Sequence, residues 1–156
     1  MPTPTGIKLI AENRRARFDY EFLERLEAGL VLSGTEVKAA REGKGHLAGA
    51  YAEVRDGEAW LVGASIDEYG AGGAFSHVPE RDRKLLMHRS EIDSLHGKVR
   101  EKGLTLVPTR MYFKDGRVKV EIGVARGKKN YDKRQALRER QDRREADRAM
   151  SLRANR

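Results

Sequence analysis

Two copies of one local pattern constrain the fold of this 156-residue chain more than any other feature. Each is an Asp-Gly pair between short apolar runs, and Asp-Gly accepts the positive φ angles of tight hairpin turns. Around Asp115-Gly116, the run Val118–Val124 alternates valine or isoleucine with polar or small residues, so one apolar face meets a core. The sequence therefore predicts two antiparallel hairpins, whose strands are Met111–Phe113 with Val118–Val124, and Tyr51–Val54 with Ala59–Val62 around Asp56-Gly57.

The segment before these hairpins has two interpretations. Arg17–Phe22 alternates aromatic and acidic residues with the period of a half-buried strand. Phe18, Phe22 and Leu26 are also four residues apart, which fits a helix that ends at Gly29. The pattern alone leaves strand and helix open, and Leu30–Leu32 is then typical of a strand.

Capping residues predict two short helices. Thr35 can cap one that runs through Arg41 and stops at Gly43. Ser90 and Asp93 form a capping-box pattern before Ile92, Leu95 and Val99, and Gly103 ends this second helix. Pro108 must lie at a strand edge or a bulge.

About six hairpin-connected strands with two short helices predict a mainly β fold. In so small a domain, an antiparallel sheet that closes into a barrel removes exposed edges. The length allows one domain, residues 1–126, followed by a tail, residues 127–156.

The tail carries most of the net charge. It holds eleven Lys or Arg against five Asp or Glu, hence +6 of the total +8, and leaves +2 on the barrel domain. Its large apolar residues are too few for a buried helical stripe, yet residues 133–152 contain neither Gly nor Pro. We expect a tail that is disordered alone and helical on a polyanion, namely RNA or DNA. Tyr131 lies within a basic cluster, as base stacking requires.

Signatures of other functional classes are weak. The chain has no Cys, and its four histidines share no metal-ligand spacing. Gly123–Lys129 lacks the spacing and the Ser or Thr of a phosphate loop. The N-terminal apolar run is too short for a signal peptide or a membrane span. We therefore expect a cytoplasmic protein that is not an enzyme, binds no cofactor or metal and has no membrane partner.

Basic and aromatic clusters point to nucleic acid. Three arginines, Arg14, Arg15 and Arg17, precede an aromatic segment, and Arg83 and Lys84 form part of a second cluster. Either cluster taken singly is typical of a solvated face. Aromatics at strand period are packing residues first, so Tyr20, Tyr51, Tyr112 and Phe113 are expected in the core or at the barrel rim rather than as base platforms.

An ordered set of short runs resembles one family. The runs are Asn13–Arg17, Glu27–Lys38, Arg41–Lys44, Arg83–Leu86, Tyr112-Phe113, Gly116–Val120, Gly127–Lys129 and Asp132–Arg134. Together they are similar to the SsrA-binding protein family, SmpB, from about Asn13 to Arg134.

The resemblance implies a six-stranded antiparallel barrel of oligonucleotide-binding type, with strand at Phe18–Leu26. It also implies a non-catalytic, monomeric adaptor that binds transfer-messenger RNA. With elongation factor Tu and GTP, held indirectly through that RNA, the adaptor would deliver the RNA to stalled ribosomes in trans-translation. The tail would enter the empty mRNA channel near the decoding centre of the small-subunit rRNA and become helical there.

Residue roles follow from the same resemblance. Tyr20, Glu27 and Leu86 match residues that contact or support the tRNA-like part of the RNA. His88 stands where some members carry Asn. For Glu27 we expect hydrogen bonds from a base edge, or a role in holding Arg25 or Arg17. The candidate RNA-binding residues of the barrel are Arg14, Arg15, Arg17, Tyr20, Glu27, Lys38, Arg41, Arg83, Lys84, Leu86 and His88. The candidate ribosome-binding residues of the tail are Lys128, Lys129, Tyr131, Asp132, Lys133, Arg134 and Met150.

Two other functions compete with this interpretation. A general RNA-binding or ribosome-assembly module would have the same charge distribution, but it would not discriminate one folded RNA from a duplex at equal salt. A nucleic-acid enzyme would show turnover that survives deletion of the tail.

Overall fold

A computed structural model describes residues 7–70, 76–127 and 130–154. Within these ranges, nine strands and four helices follow one another along the chain. The elements are β1 Ile7–Glu12, α1 Arg14–Asp19, β2 Tyr20–Leu30, α2 Gly34–Arg41, β3 Gly45–His46, β4 Tyr51–Arg55, β5 Glu58–Val62, β6 Ser65–Ile66, β7 Arg83–Leu86, α3 Arg89–Lys102, β8 Thr105–Lys114, β9 Arg117–Gly127 and α4 Asn130–Ala154.

Six of the strands close into the predicted barrel. Their order is β8-β4-β5-β7-β2-β9, and β9 pairs again with β8. All of these pairings are antiparallel. β1 pairs with the second half of β8, and β3 and β6 form a separate two-stranded sheet. This closed sheet confirms the predicted fold class, although the chain has more short elements than the six strands and two helices predicted.

The barrel interior is the hydrophobic core. Val118, Val120, Ile122 and Val124 of β9 all point inward and are at most 6% exposed, as their alternation predicts. Burial of each such side chain stabilises the fold by roughly 1.5–3 kcal/mol. Every second residue of β9 therefore points outward. The core is completed from the other strands and from α3 by Leu61, Leu85, Leu106, Met111, Ile92 and Leu95.

Both predicted hairpins are confirmed. Asp56 and Asp115 have φ angles of 51° and 52°, and the glycines that follow them have φ angles of 75° and 76°. The second turn sets the register of β8 against β9, with Lys114 opposite Arg117. This register shifts between Pro108 and Arg110, so the predicted bulge at the proline is present.

The strand prediction was wrong for Arg17–Asp19. These residues form the last turn of α1, because the Asn13 side chain accepts a hydrogen bond from the Ala16 N–H at 3.2 Å and caps the helix. Ala16 packs with Val107 and Ala125, which holds the helix on the sheet. From Tyr20 to Leu30 the chain is strand, as the resemblance implied.

Both helix starts also differ by two residues from the predicted ones. Ser33, not Thr35, caps α2, and its partner in the capping box is Glu36. α3 begins after His88, whose backbone N–H donates to Glu91 at 3.1 Å. The predicted ends are confirmed, since Gly43 and Gly103 both have positive φ.

The tail contains the helix α4. All of its described side chains, residues 138–150, are exposed, as expected for a helix without an apolar stripe. The expected disorder of the free tail, and the division into a barrel domain and a tail after residue 126, stay predictions.

Candidate nucleic-acid interface

The outward surface of β2, β9 and β8 forms a polar sheet surface, which we call the barrel face. Glu27 of β2 lies on this surface, opposite Glu121 of β9. The Tyr112 hydroxyl donates to Glu27 Oε2 at 2.5 Å, and Lys114 Nζ lies 3.3 Å from the same oxygen. The hydrogen bond from Tyr112, followed by the contacts with Lys114, lowers the pKa of Glu27 below its ordinary value. Glu27 is therefore a fixed carboxylate.

Tyr112 is a buried support for that carboxylate. Its side chain is 2% exposed. Burial, and then the hydrogen bond to Glu27, raise the pKa of the phenol. The hydroxyl thus remains a proton donor at neutral pH, and it aims Oε2 of Glu27, while Oε1 lies 3.4 Å from Lys114 Nζ. The expected partners of Glu27 were wrong, since Arg25 lies near Glu121 at 3.9 Å and Arg17 near Glu12 at 3.0 Å.

Glu121 organises the second half of the barrel face. It lies opposite Arg110 across the β8–β9 hairpin, and Arg110 Nη2 is 3.1 Å from its Oε2. The Thr109 hydroxyl donates to Glu121 Oε1 at 2.8 Å. Arg110 also lies over the Tyr112 ring, with its guanidinium carbon 5.2 Å from the ring centre. One carboxylate and one ring therefore hold this guanidinium in place.

Arg25 of β2 is also held over an aromatic ring. Its guanidinium carbon is 5.3 Å from the centre of the Phe22 ring. That ring lies flat on Gly123 of β9, where any Cβ would overlap it. Gly123 is thus required by the close approach of Phe22, which supports Arg25 over the sheet.

The three candidate arginines of α1 lie together at the end of the barrel face. The side chains of Arg14, Arg15 and Arg17 are 87%, 74% and 67% exposed. They lie near Glu12 or Asp19, and exposed pairs of this kind contribute only about 0–1 kcal/mol. Phosphate groups can therefore compete for these arginines at little cost.

Tyr20 connects α1 to the barrel face, since it begins β2 and packs partly buried against the Ala16 cluster. Leu86 of β7 lies beside β2, opposite Gly29, and is 55% exposed. Lys84 is half-exposed and lies 3.4 Å from Glu58, and His88 is exposed where α3 begins. Tyr20 on β2 and the pair Lys84 and Leu86 on β7 thus lie on neighbouring strands, and His88 lies just beyond β7.

Lys38 and Arg41 lie on a different element. Both are exposed on α2, and Lys38 lies over the Tyr69 ring at 5.7 Å. Their role in RNA binding stays a prediction.

Arg83 requires a correction. It is wholly buried, and its Nε contacts Glu36 Oε2 at 2.5 Å. Its other nitrogens donate to the backbone carbonyls of Ala64, Pro79 and Arg81 at 2.8–3.1 Å. No direct contact with RNA is open to this side chain, so the prediction of one was wrong. Arg83 instead ties α2, β6 and β7 together.

Glu36 is the buried partner in this network. Burial alone would raise the pKa of Glu36, but hydrogen bonds from Arg81, the Ser33 N–H and Arg83 outweigh it and lower the pKa. The carboxylate is therefore charged and satisfied. Removal of one partner from such a pair is costly, of order 3–5 kcal/mol.

The sequence analysis did not identify Arg110, Glu121 or Glu36, and it did not predict that Tyr112 holds Glu27. A signal existed for the first two, because the Asp115-Gly116 turn alone places Arg110 across from Glu121. No signal existed for Tyr112 and Glu27, which are 85 residues apart and separated by the intervening strand β9.

The tail candidates are described only in part. Lys128 and Lys129 lie outside the described residues. Tyr131, Asp132, Lys133 and Arg134 are part of α4, but their side chains lie outside the described part. Met150 is 68% exposed. A cleft between α4 and α1 is lined by Glu12, Arg14, Arg17, Phe18, Glu139, Arg140 and Arg143.

Two other features are absent from the described residues. Among them, no three His, Asp or Glu side chains are placed to hold a metal ion. No helix in the described part of the chain has the length and apolar character needed to cross a membrane.

Comparison with known proteins gives concordant matches. The family model described as SmpB protein matches residues 10–152. The SsrA-binding protein of Kineococcus radiotolerans is 62% identical over 156 residues, which is all of both chains. That of Streptomyces coelicolor is 56% identical over 97% of this chain and 95% of its own. A solved structure described as tmRNA-SmpB in the bacterial ribosome contains a chain that matches with a TM-score of 0.65 and 49% identity, over 81% of this chain and 93% of that one.

Proposed function

The chain belongs to the SmpB family, and from this membership and the barrel face we propose that it binds transfer-messenger RNA and acts in trans-translation on stalled ribosomes. The family is one of RNA-binding proteins, so the activity is recognition and delivery rather than turnover. Transfer-messenger RNA and the ribosome are its partners.

The fixed carboxylate of Glu27 among ordered arginines carries the proposal. Folded RNA is recognised by shape, by 2′-hydroxyl and base-edge donors, and by phosphates. Glu27 offers an acceptor for such donors, and Arg25 and Arg110 offer cations for phosphates on either side. A carboxylate held on such a surface is more useful for selection than for affinity, since it repels any backbone that places a phosphate there.

The remaining barrel candidates extend this surface. We assign phosphate contacts to Arg14, Arg15, Arg17 and Lys84, and contacts with ribose or base to Tyr20, Leu86 and His88. This assignment rests on their full or partial exposure and on their positions on or beside α1, β2 and β7. Lys38 and Arg41 would touch a separate part of the RNA or the ribosome.

We assign the tail to the ribosome. Lys128, Lys129, Lys133 and Arg134 would contact rRNA phosphates, Tyr131 would stack on a base at the decoding centre, and Met150 would make an apolar contact late in the mRNA channel. An exposed, highly charged helix such as α4 gains stabilisation from a polyanion that it cannot obtain alone. Elongation factor Tu with GTP would join through the RNA, and the free protein would be a cytoplasmic monomer.

One binding series tests the proposal. The full chain is titrated at one salt concentration against transfer-messenger RNA, bulk tRNA and duplex RNA, with gel shift as the readout. Preference for transfer-messenger RNA over duplex is expected. Equal affinities would overturn the proposal and favour a general RNA-binding or ribosome-assembly module. A tagging assay on stalled ribosomes then tests the delivery role.

A further inference from the structure

An exposed tyrosine divides a groove that the barrel face does not include. One cleft, of about 340 Å³, lies between α1 and the start of β4. A second, of about 320 Å³, lies between β4 and α3. Tyr51 and Thr105 line both clefts, so the two lie next to each other on either side of these residues.

The floor of the first cleft is small and apolar. Ala16, Gly49, Ala50 and Val107 line it, and Tyr20 closes one side. Because these side chains are short, they leave a recess between Tyr20 and Tyr51. The second cleft is lined on its apolar side by Val54, Val99, Leu104 and Leu106. Each volume is at the lower end for ligand sites, which is the scale of one flat heterocycle rather than an extended ligand.

Tyr51 differs from most other rings in this protein. Phe18, Phe22, Trp60, Tyr69 and Tyr112 each have an arginine or lysine over one face. Among the described residues, no cation lies over Tyr51, and the residue is 42% exposed. The sequence predicted that Tyr51 packs in the core or at the barrel rim rather than serving as a base platform, whereas the structure leaves it partly exposed between the two clefts.

Basic side chains stand at both ends of the groove, and the carboxylates Asp19 and Glu53 also line it. Arg15 lies at the α1 end and Arg100 at the α3 end, beside His96. Arg15 pairs with Asp19 at 3.3 Å on the surface, whereas Arg100 has no ion pair with any described residue. An open aromatic ring between two cations is the arrangement by which proteins bind unpaired nucleotides, since bases stack on the ring and phosphates meet the cations.

We propose that this groove binds unpaired bases of the RNA, with Tyr51 as the stacking platform and Arg15 and Arg100 as the flanking phosphate contacts. The inference rests on the proposed RNA-binding function and deepens it. It adds a base-binding site beside the barrel face, next to Tyr20. The groove selects RNA with extruded or loop bases, because a paired base inside a duplex cannot enter a cleft of this size.

Affinity measurements on Tyr51 variants of the full chain test the proposal. Tyr51→Ala is expected to weaken binding to transfer-messenger RNA by about 5- to 150-fold, the usual value for loss of one base–aromatic stack. The salt dependence should stay unchanged, because no phosphate contact is lost. Tyr51→Phe should bind like wild type, since the ring is kept. Val78→Ala, which truncates an apolar side chain that is 66% exposed elsewhere, is the matched control and should also bind like wild type.

The Arg100→Ala variant tests the phosphate contact independently of base stacking on Tyr51. It should lower the salt slope by about one counterion, which Tyr51→Ala should not do. Ultraviolet crosslinking of the wild-type complex should join Tyr51 to an unpaired nucleotide. An adduct to a base-paired nucleotide, or none, would overturn the assignment, as would wild-type affinity in Tyr51→Ala. If the wild-type chain itself does not prefer transfer-messenger RNA, the proposed function and this site fail together, whereas an unaffected Tyr51→Ala rejects the site alone.

Discussion

Removal of the Tyr112 hydroxyl is the sharpest test of how the barrel face is held. Tyr112→Phe keeps the buried ring and the contact with Arg110, and deletes only the 2.5 Å hydrogen bond to Glu27. A hydrogen bond to a charged group contributes about 1.5–3 kcal/mol. Because the Glu27 side chain is 37% exposed, water replaces part of that bond. The free energy of unfolding should therefore fall by about 1 kcal/mol at neutral pH, which lowers Tm by about 2–4 °C.

The pH dependence separates a lost ionic hydrogen bond from lost packing. The pKa of Glu27 is lowered in the folded protein, so its contribution is complete above the ordinary value of 4.5 and disappears as the pH falls through the lowered pKa. The pKa of Tyr112 is raised, so its contribution is complete below 10 and disappears as the pH rises beyond that value. The stability difference between wild type and Tyr112→Phe should thus be largest between these limits and shrink on both sides.

Urea unfolding from about pH 3 to about pH 11 measures this difference. Tyr51→Phe is the matched control, because its hydroxyl has no hydrogen bond with a described residue. It should leave stability unchanged at every pH. A Tyr112→Phe deficit of the same size at about pH 3 and at neutral pH would refute the reasoning, since packing loss does not titrate.

Four further predictions concern RNA binding, packing and the tail. In filter binding, Glu27→Ala should weaken affinity for transfer-messenger RNA by about tenfold although it makes the surface more positive. Glu101→Ala is the control for the change in charge, and tighter binding by Glu27→Ala would contradict the role of Glu27 in RNA recognition. Gly123→Ala should destabilise the fold by about 1–3 kcal/mol in urea unfolding, because its Cβ overlaps the Phe22 ring; wild-type stability would mean that the ring moves freely. Deletion of Lys133–Arg156 should abolish tagging on stalled ribosomes and leave RNA affinity largely intact, and parallel loss of both would reject the separate roles. Proline at Ala136 and Leu137 should block tagging through a cost of about 3 kcal/mol for each proline in the helix, and normal tagging would exclude helix formation in the tail from the mechanism.

The barrel was predictable because its strongest signals are local. Alternation along β9 and two Asp-Gly turns determine two hairpins and their register without any long-range information. α1 was missed for the opposite reason. A helix of six residues contains too little periodicity to outweigh an apparent strand alternation, and its stability comes from the Asn13 cap and from Ala16 on the sheet.

Arg83 shows where sequence patterns for binding residues fail. Its position two residues before the buried Leu85 on one strand places both side chains on the inner face. The basic cluster suggested a surface instead, since an arginine is rarely buried without a partner. That partner, Glu36, lies 47 residues away and belongs to a helix whose own pattern gives no hint of the contact.

The charge distribution supports the proposed separate roles of the barrel and the tail. On the barrel face, Glu27 and Glu121 hold Lys114 and Arg110 at fixed positions, so much of the local positive charge is already neutralised. The barrel domain accordingly carries only +2, while the tail carries +6. Net charge governs non-specific attraction to any nucleic acid, whereas oriented groups discriminate between RNA shapes. A weakly charged barrel can therefore select one folded RNA with little non-specific binding. The tail can supply long-range attraction to the ribosome, where rRNA phosphates are abundant and no base sequence has to be recognised.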